Sequence, residues 1–181
     1  YDSRYLLTAT IRADGTSRFA ENNRWGYFPS IGLGWNIADE SFMKNQKVFD
    51  NLKLRGSWGK VGNDNIPTSL YYSIATTNVP YYYDIERNRY LGITFDNVTD
   101  KNVKWEITNE FDLGLDFSIL NKRLSGEIDY YQKKTNDALI YVNIPAILGD
   151  PDSKYITNAA NFENNGIEIS LGWTDKIGKD W

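Results

Sequence analysis

Residues 104–119 read KWEITNEFDLGLDFSI and alternate between apolar and polar side chains over the whole stretch. Seven of the eight odd positions are apolar, and Asn109 is the exception. The even positions are Lys104, Glu106, Thr108, Glu110, Asp112, Gly114, Asp116 and Ser118. A repeat of two is that of a β-strand, because successive side chains point to opposite faces of a sheet. The stretch therefore predicts a strand with one oily face and one acidic face.

The same alternation recurs along the chain, and almost no helical period accompanies it. One short helical turn is expected at Glu40–Lys44, and Ala138–Ile144 could extend a hairpin. The predicted strands lie near residues 4–13, 26–38, 51–60, 104–119, 123–135 and 165–174. The sequence thus predicts an all-β chain of about six antiparallel strands.

The connections between these strands are uneven in length. Residues 14–25, 61–103 and 136–164 form long links, whereas residues 39–50 and the pair Asn121-Lys122 form short ones. In an up-and-down meander the long links all fall at one end, which is the layout of an outer-membrane barrel. A tilted strand crosses a membrane with ~9–11 residues, and the predicted strands are that long or longer. We therefore expect a transmembrane β-barrel, here an open segment, with its apolar parity on lipid and its carboxylates on a wet lumen.

Composition excludes several kinds of function. The 181 residues include no cysteine and no histidine, so thiolate metal sites, disulfides and histidine-based triads are impossible within them. The net charge of −4 argues against a nucleic-acid partner, because phosphate binding needs a basic face. No signal peptide is visible, and both ends adjoin strand-like sequence, so we expect a piece of a longer chain.

Five tryptophans share the apolar parity of their strands and lie near strand ends. Trp25, Trp58 and Trp105 are near the long-link ends, and Trp35 and Trp173 are near the short-link ends. Aromatic girdles at both membrane interfaces would produce this placement. The alternative is that these residues belong to the core of a β-sandwich. We predict the girdle.

The long link 61–103 is rich in tyrosine. Exposed aromatic faces beside Asn and Asp are suited to contacting a sugar or a peptide. The alternative is that the rings pack together and stiffen the loop, or contact a partner protein. The candidate residues are Tyr71, Tyr72, Tyr81, Tyr82 and Tyr83, with Tyr90 nearby.

The carboxylates on the polar parity raise the question of glycoside hydrolysis, which uses paired carboxylates. Such pairs need raised and separated pKa values, hence partial burial, which a row on a hydrated strand face does not supply. We therefore expect a solvated wall rather than an enzyme, with no catalytic residue, cofactor or metal. The row comprises Glu106, Glu110, Asp112, Asp116, Glu127, Asp129 and Glu168, beside Arg12, Lys53 and Arg55.

Several stretches go beyond a generic barrel pattern. They are YLLTATIRADGTSRF (5–19), NNRWGYFPSIGLGWNIADESFM (22–43), NLKLRGSWGKVGND (51–64), VKWEITNEFDLGLDFSILNKRLSGEIDYYQKKTNDALI (103–140) and NNGIEISLGW (164–173). Together they resemble the barrel of the SusC/RagA-type TonB-dependent transporters of Bacteroidota. One departure is Ala160, where the family often has glycine, which puts a local bend in doubt.

The resemblance implies a 22-stranded barrel filled by a plug, of which residues 1–181 would be a partial barrel domain without the plug and the TonB box. It implies an outer-membrane importer of glycans, peptides or similar nutrients, embedded in lipid and capped on the long-loop side by a SusD-like lipoprotein. The TonB complex would act through other parts of the chain. Two alternatives stay open: a secreted or soluble β-sandwich carbohydrate-binding module, and a β-rich enzyme.

Overall fold

The protein is an all-β chain in a computed structural model that describes residues 1–68, 72–95, 98–145, 147 and 154–175. Short 3-10 turns lie at Glu21–Asn23, Ile37–Asp39 and Ser41–Met43. In the described ranges no helix has the length and apolar character needed to span a membrane. The strands are β1 (Tyr5–Gly15), β2 (Trp25–Asn36), β3 (Phe49–Asn63), β4 (Ala75–Tyr81), β5 (Tyr90–Phe95), β6 (Glu106–Ile119), β7 (Leu124–Asn143) and β8 (Lys154–Trp173).

Six of the strands form one sheet in the order β1-β2-β3-β6-β7-β8, and every neighbouring pair is antiparallel. Strands β4 and β5 form a separate hairpin within the link between β3 and β6. The β2–β3 and β6–β7 connections lie at one end of the sheet, here called the short-turn end. The other connections lie at the opposite, long-loop end. The predicted up-and-down meander is confirmed.

The register aligns side chains of one character in rows across all six strands. One row contains Leu7, Leu33, Gly56, Leu113, Tyr130 and Ile167. The parallel row one residue away contains Leu6, Gly34, Arg55, Gly114, Asp129 and Glu168. Because side chains alternate across a pleated strand, these rows lie on opposite sides of the sheet. We call them the apolar face and the polar face.

The apolar face is largely uncovered, which separates a barrel wall from a sandwich. Leu113 is 44% exposed and Ile169 is 65% exposed. In a sandwich these side chains would pack against a second sheet about 10 Å away. In the part of the chain that the structure describes, the other sheet is the two-stranded β4–β5 hairpin. The fold is therefore an open six-stranded segment of an antiparallel barrel.

Strands β7 and β8 are longer than the sequence pattern predicts. Most of the link expected over residues 136–164 is paired strand. The connection between β7 and β8 is therefore limited to residues 144–153. The register shifts twice near Ala138, where Asp137 has φ 56° and Ala138 and Leu139 face Ala160 and Asn158. Each bulge reverses the parity of the residues beyond it, so the alternation in the sequence is interrupted although the strand continues. Ala160 lies opposite Ala138 at these register shifts.

The other differences are small. The helical turn expected at Glu40–Lys44 is present as a 3-10 turn at Ser41–Met43, and a second 3-10 turn lies before it at Ile37–Asp39. The long link predicted over 61–103 contains the β4–β5 hairpin, which the sequence pattern did not predict.

Candidate functional site

The polar face of β6 and β7 carries the predicted row of carboxylates. Across these two strands Asp116 faces Glu127, and Glu110 faces Lys133. The Lys133 Nζ lies 3.0 Å from Glu110 Oε1, so one pair of opposite charges is matched across the ladder. The polar character of this face follows directly from the alternation in the sequence.

The centre of the polar face is an ion-pair cluster around Arg55 on β3. Its Nε donates to Asp116 Oδ1 at 2.9 Å, and its Nη2 donates to Asp129 Oδ2 at 2.8 Å. The second oxygen of Asp129, Oδ1, lies 2.7 Å from the same nitrogen, and Asp112 Oδ1 lies 3.5 Å from Nη1. One guanidinium thus links β3, β6 and β7 and neutralises part of the carboxylate row.

Gly114 allows this cluster to form. It lies between Arg55 and Asp129 in the cross-strand row, and it is buried. A Cβ at this position would lie 2.6 Å from Arg55 Cζ and would also collide with the Asp129 carboxylate. The guanidinium therefore crosses β6 directly over the glycine backbone. The sequence pattern predicted Arg55 and the carboxylates on one face, but not their contact, because the register of three strands decides it.

The long-loop end has a small hydrophobic core, here called the loop hub. Phe19 is fully buried, and the Trp105 ring packs edge-on against Phe19 at 5.7 Å and Phe28 at 5.2 Å. The members of the hub are Phe19, Phe28, Ile66, Val103, Trp105 and Ile156. They come from four chain segments that are distant in sequence, so the hub fixes the long connections to the sheet and to one another.

Hydrogen bonds hold the loop hub together. The Trp105 indole N–H donates to the Arg24 carbonyl at 3.2 Å. The Asn23 side chain donates to the Asn102 and Val103 carbonyls at 3.2 and 3.1 Å. Asn158 on β8 accepts from the Lys104 backbone N–H at 2.9 Å and donates to the Lys104 carbonyl at 3.0 Å. Backbone groups that strand pairing leaves free are thereby satisfied.

The structure separates Trp105 from the other four predicted girdle residues. Trp105 is 8% exposed within the loop hub, whereas Trp25 is 65% and Trp173 is 59% exposed. Trp105 precedes β6, and its ring is covered by Phe19 and Phe28. This burial distinguishes it from the other residues of the predicted girdle. Trp58 lies on the apolar face with Lys60 Nζ 5.9 Å from its ring.

Glu40 anchors the short-turn end. This buried carboxylate accepts hydrogen bonds from the Tyr5 hydroxyl at 2.5 Å, the Trp35 indole N–H at 3.0 Å and Arg4 Nη1 at 3.3 Å. The hydrogen bond from Tyr5, followed by that from Trp35, holds the pKa of Glu40 below its usual value. Trp35 is therefore half-buried and oriented by this contact. Sequence patterning did not indicate Glu40.

Three of the loop tyrosines form a packed ring group, and two of the three stay exposed, Tyr81 by 46% and Tyr83 by 72%. Tyr81, Tyr83 and Tyr90 pack together, with ring centroids 4.6 Å apart for Tyr83 and Tyr90. The Tyr90 hydroxyl donates to Asp84 Oδ2 at 2.9 Å. Tyr82 has no place in that ring group and is 61% exposed.

Tyr72 is 54% exposed, and Tyr71 lies outside the described residues. Packed rings and exposed rings thus occur together in the hairpin, and Tyr72 lies just before it.

Asp84 lies in the tip that joins β4 to β5. Partial burial would raise the pKa of its carboxyl, but hydrogen bonds from Asn88, Tyr90 and the Arg87 backbone outweigh it and lower the pKa. The Asn88 backbone N–H donates to Asp84 Oδ1 at 2.8 Å. An ionised Asp84 therefore holds the tip in one conformation and supports the packed tyrosines.

Comparison with known proteins identifies the family. The model of the family described as "TonB dependent receptor-like, beta-barrel" matches residues 1–181. The TonB-dependent receptor SusC of Bacteroides thetaiotaomicron is 39% identical over 180 residues, and the TonB-dependent receptor P26 of Formosa agariphila is 38% identical over 175 residues. These matches cover 99% and 97% of this chain but 18% and 17% of the relatives.

Solved structures agree with this result. The RagAB peptide importer in its closed-closed state superimposes with a TM-score of 0.86 at 30% identity, and its open-open state with 0.83 at 31%. Each match covers the whole of this chain and 19% of the solved one. The chain thus spans less than a fifth of the length of the proteins that it matches.

One conclusion follows from these similarities, from the two-faced antiparallel sheet and from the long loops at one of its ends. The chain belongs to the TonB-dependent receptor-like β-barrel family, as a SusC/RagA-type segment of an outer-membrane barrel.

Proposed function

We propose that this chain forms part of the wall of a TonB-dependent importer that brings nutrients across the outer membrane. The observation that carries the proposal is the register, which aligns apolar side chains on one face of six strands and ion-paired polar side chains on the other. Such a wall separates hydrocarbon from a wet lumen. In this proposal residues 1–181 perform no chemistry and belong to a barrel domain whose plug and TonB box are other parts of the protein.

The imported nutrient is proposed to be an oligosaccharide or a peptide. Similarity to the RagAB peptide importer supports the peptide, and the aromatic hairpin is suited to either class. We assign ligand contact to Tyr72, Tyr81, Tyr82 and Tyr83, all of which are exposed, and packing against Tyr90 would fix the rings of Tyr81 and Tyr83. Tyr71 stays in the proposed surface on the basis of sequence.

Partners follow from the two ends of the sheet. A SusD-like lipoprotein would cover the long-loop end, which carries the loop hub and the β4–β5 hairpin. The TonB complex would act from the periplasm through the remainder of the protein. Outer-membrane lipid would surround the apolar face, with Trp25, Trp35, Trp58 and Trp173 at the two interfaces.

The orientation of the wall is tested by spin labels on adjacent strands of the full-length protein in lipid vesicles. Because residues 1–181 have no cysteine, Leu113→Cys and Ser57→Cys each introduce one labelling site into this segment. We expect the label at Leu113 to be relaxed by oxygen, which concentrates in hydrocarbon, and the label at Ser57 by a water-soluble nickel chelate. Strong relaxation of the Leu113 label by the chelate would contradict the proposed wall.

Import itself is tested by uptake of a labelled oligosaccharide mixture and a labelled peptide mixture in cells with and without TonB. We expect uptake of one mixture to depend on TonB and to fall in the Tyr82→Ala variant. Tyr130→Ala, on the apolar face, is the matched control and should leave uptake unchanged. Equal uptake without TonB would refute the import function.

A further inference from the structure

The apolar face has a depression at Gly56, in the middle of β3. In its cross-strand row Gly56 lies between Leu33 on β2 and Leu113 on β6, and it is the one residue of that row without a side chain. The space above it is a groove of about 660 Å³. Its walls on this face include Leu7, Leu33, Trp35, Leu54 and Leu113.

Neither backbone geometry nor packing requires a glycine at position 56. A Cβ built at Gly56 would meet nothing nearer than 3.8 Å, at the Asp112 carbonyl and the Leu113 side chain. By contrast, a Cβ at Gly114 or at Gly126 would collide with neighbouring side chains. A larger residue would therefore fit at position 56, and its absence leaves apolar surface unfilled. Unfilled apolar walls lose van der Waals contacts unless another group occupies the space.

The surroundings of the groove indicate its occupant. It is continuous with the exposed apolar face, so the hydrocarbon of the outer membrane has direct access to it. Towards the short-turn end it reaches Tyr1, Tyr5 and Trp35. The polar atoms of two of these rings are engaged with Glu40, which leaves the apolar parts of the rings for the groove. Aromatic side chains with one polar end are suited to the boundary between acyl chains and headgroups.

We propose that this groove binds one acyl chain of a membrane phospholipid as a specific site, with the headgroup at the short-turn end beside Tyr1 and Tyr5. The chain fills the volume over Gly56 and contacts Leu33 and Leu113 on either side. Since lipid at other places on the apolar face meets a filled row of side chains, the lipid at Gly56 exchanges more slowly. The inference depends on the outer-membrane location and is independent of what the protein imports.

The test compares bound phospholipid in three forms of the full-length protein. Gly56→Leu fills the groove. The control Ile167→Phe enlarges an exposed residue of the same row on β8, away from the groove. Each protein is purified in detergent, freed of lipid, incubated with 1-palmitoyl-2-oleoyl phosphatidylethanolamine and examined by native mass spectrometry. Heat-dependent gel mobility confirms that each barrel is folded.

We expect the parent protein and Ile167→Phe to retain one more phospholipid per chain than Gly56→Leu after detergent exchange. Equal numbers in all three proteins would mean that lipid adheres to the apolar face in general, and would overturn the proposal. Complete loss of lipid from the parent protein would overturn it as well. Because uptake is not part of the readout, failure of the lipid site leaves the import function unaffected.

Discussion

Replacement of Gly114 by alanine should disrupt the ion-pair cluster on the polar face. The added Cβ would lie 2.6 Å from Arg55 Cζ, so the guanidinium must move away from β6. That movement weakens its contacts with Asp116 and Asp129, which are 2.9 and 2.7 Å long. The side chain of Asp129 is only 16% exposed, so water replaces the lost contact poorly.

The loss of stability expected from Gly114→Ala lies between two limits. Exposed ion pairs contribute up to ~1 kcal/mol, and breaking a buried pair costs ~3–5 kcal/mol. Because Arg55 is 33% exposed and its partners are less so, we expect Gly114→Ala and Arg55→Met each to lower the free energy of unfolding by about 2 kcal/mol. The two effects should not add, because alanine has less to displace once Arg55 is gone. The coupling energy should be about 1 kcal/mol or more.

The assay is chemical unfolding of the full-length protein in lipid vesicles, with the four members of the double-mutant cycle compared under identical conditions. Gly32→Ala is the matched control, since it is a glycine on the same face whose added Cβ would meet nothing within 4 Å. We expect its effect to stay within about 0.5 kcal/mol. An effect of Gly114→Ala as small as that of Gly32→Ala, or full additivity with Arg55→Met, would refute the reasoning.

Two further predictions concern the ends of the sheet. Trp105→Ala should lower the free energy of unfolding by roughly 3–4 kcal/mol and make the long loops sensitive to protease. Trp173 is exposed, so Trp173→Ala should leave the cleavage rate of these loops unchanged. If protease cleaved the Trp105→Ala variant no faster than the parent protein, the loop hub would be contradicted. The fold lowers the pKa of Glu40, so the ionised carboxylate stabilises the short turn. This stabilisation is fully present when the pH is above the pKa that Glu40 has in the unfolded chain. It is lost as the pH falls through the lower pKa that Glu40 has in the folded chain. The protection factors of the amides in residues 37–48, which are corrected for the intrinsic pH dependence of exchange, should therefore fall in acid. In Glu40→Gln they should be low already at neutral pH and change less with pH.

Local alternation was sufficient to predict the six strands of the large sheet and the character of their faces, but not the β4–β5 hairpin or the full length of β7 and β8. Each parity of β6 could be assigned from residues 104–119 alone, because the direction of a side chain in a strand depends only on its place in the pleat. The uneven lengths of the links indicated the meander and the barrel, and resemblance to a family added the 22-stranded barrel with its plug. The bulge at Asp137–Leu139 marks the limit of this approach, since it reverses parity and made a continuous strand resemble a loop.

The sequence by itself determined the six strands of the large sheet, its two-sided character and the exclusion of chemistry that needs cysteine or histidine. Only the tertiary structure decided which residues meet across strands: the Arg55 cluster over Gly114, the burial of Trp105 in the loop hub, the contacts of Glu40 and the groove at Gly56. The physical reason is that alternation acts within one strand, whereas these contacts join residues far apart in sequence. Register and the packing of several segments, which no single strand specifies, bring those residues together.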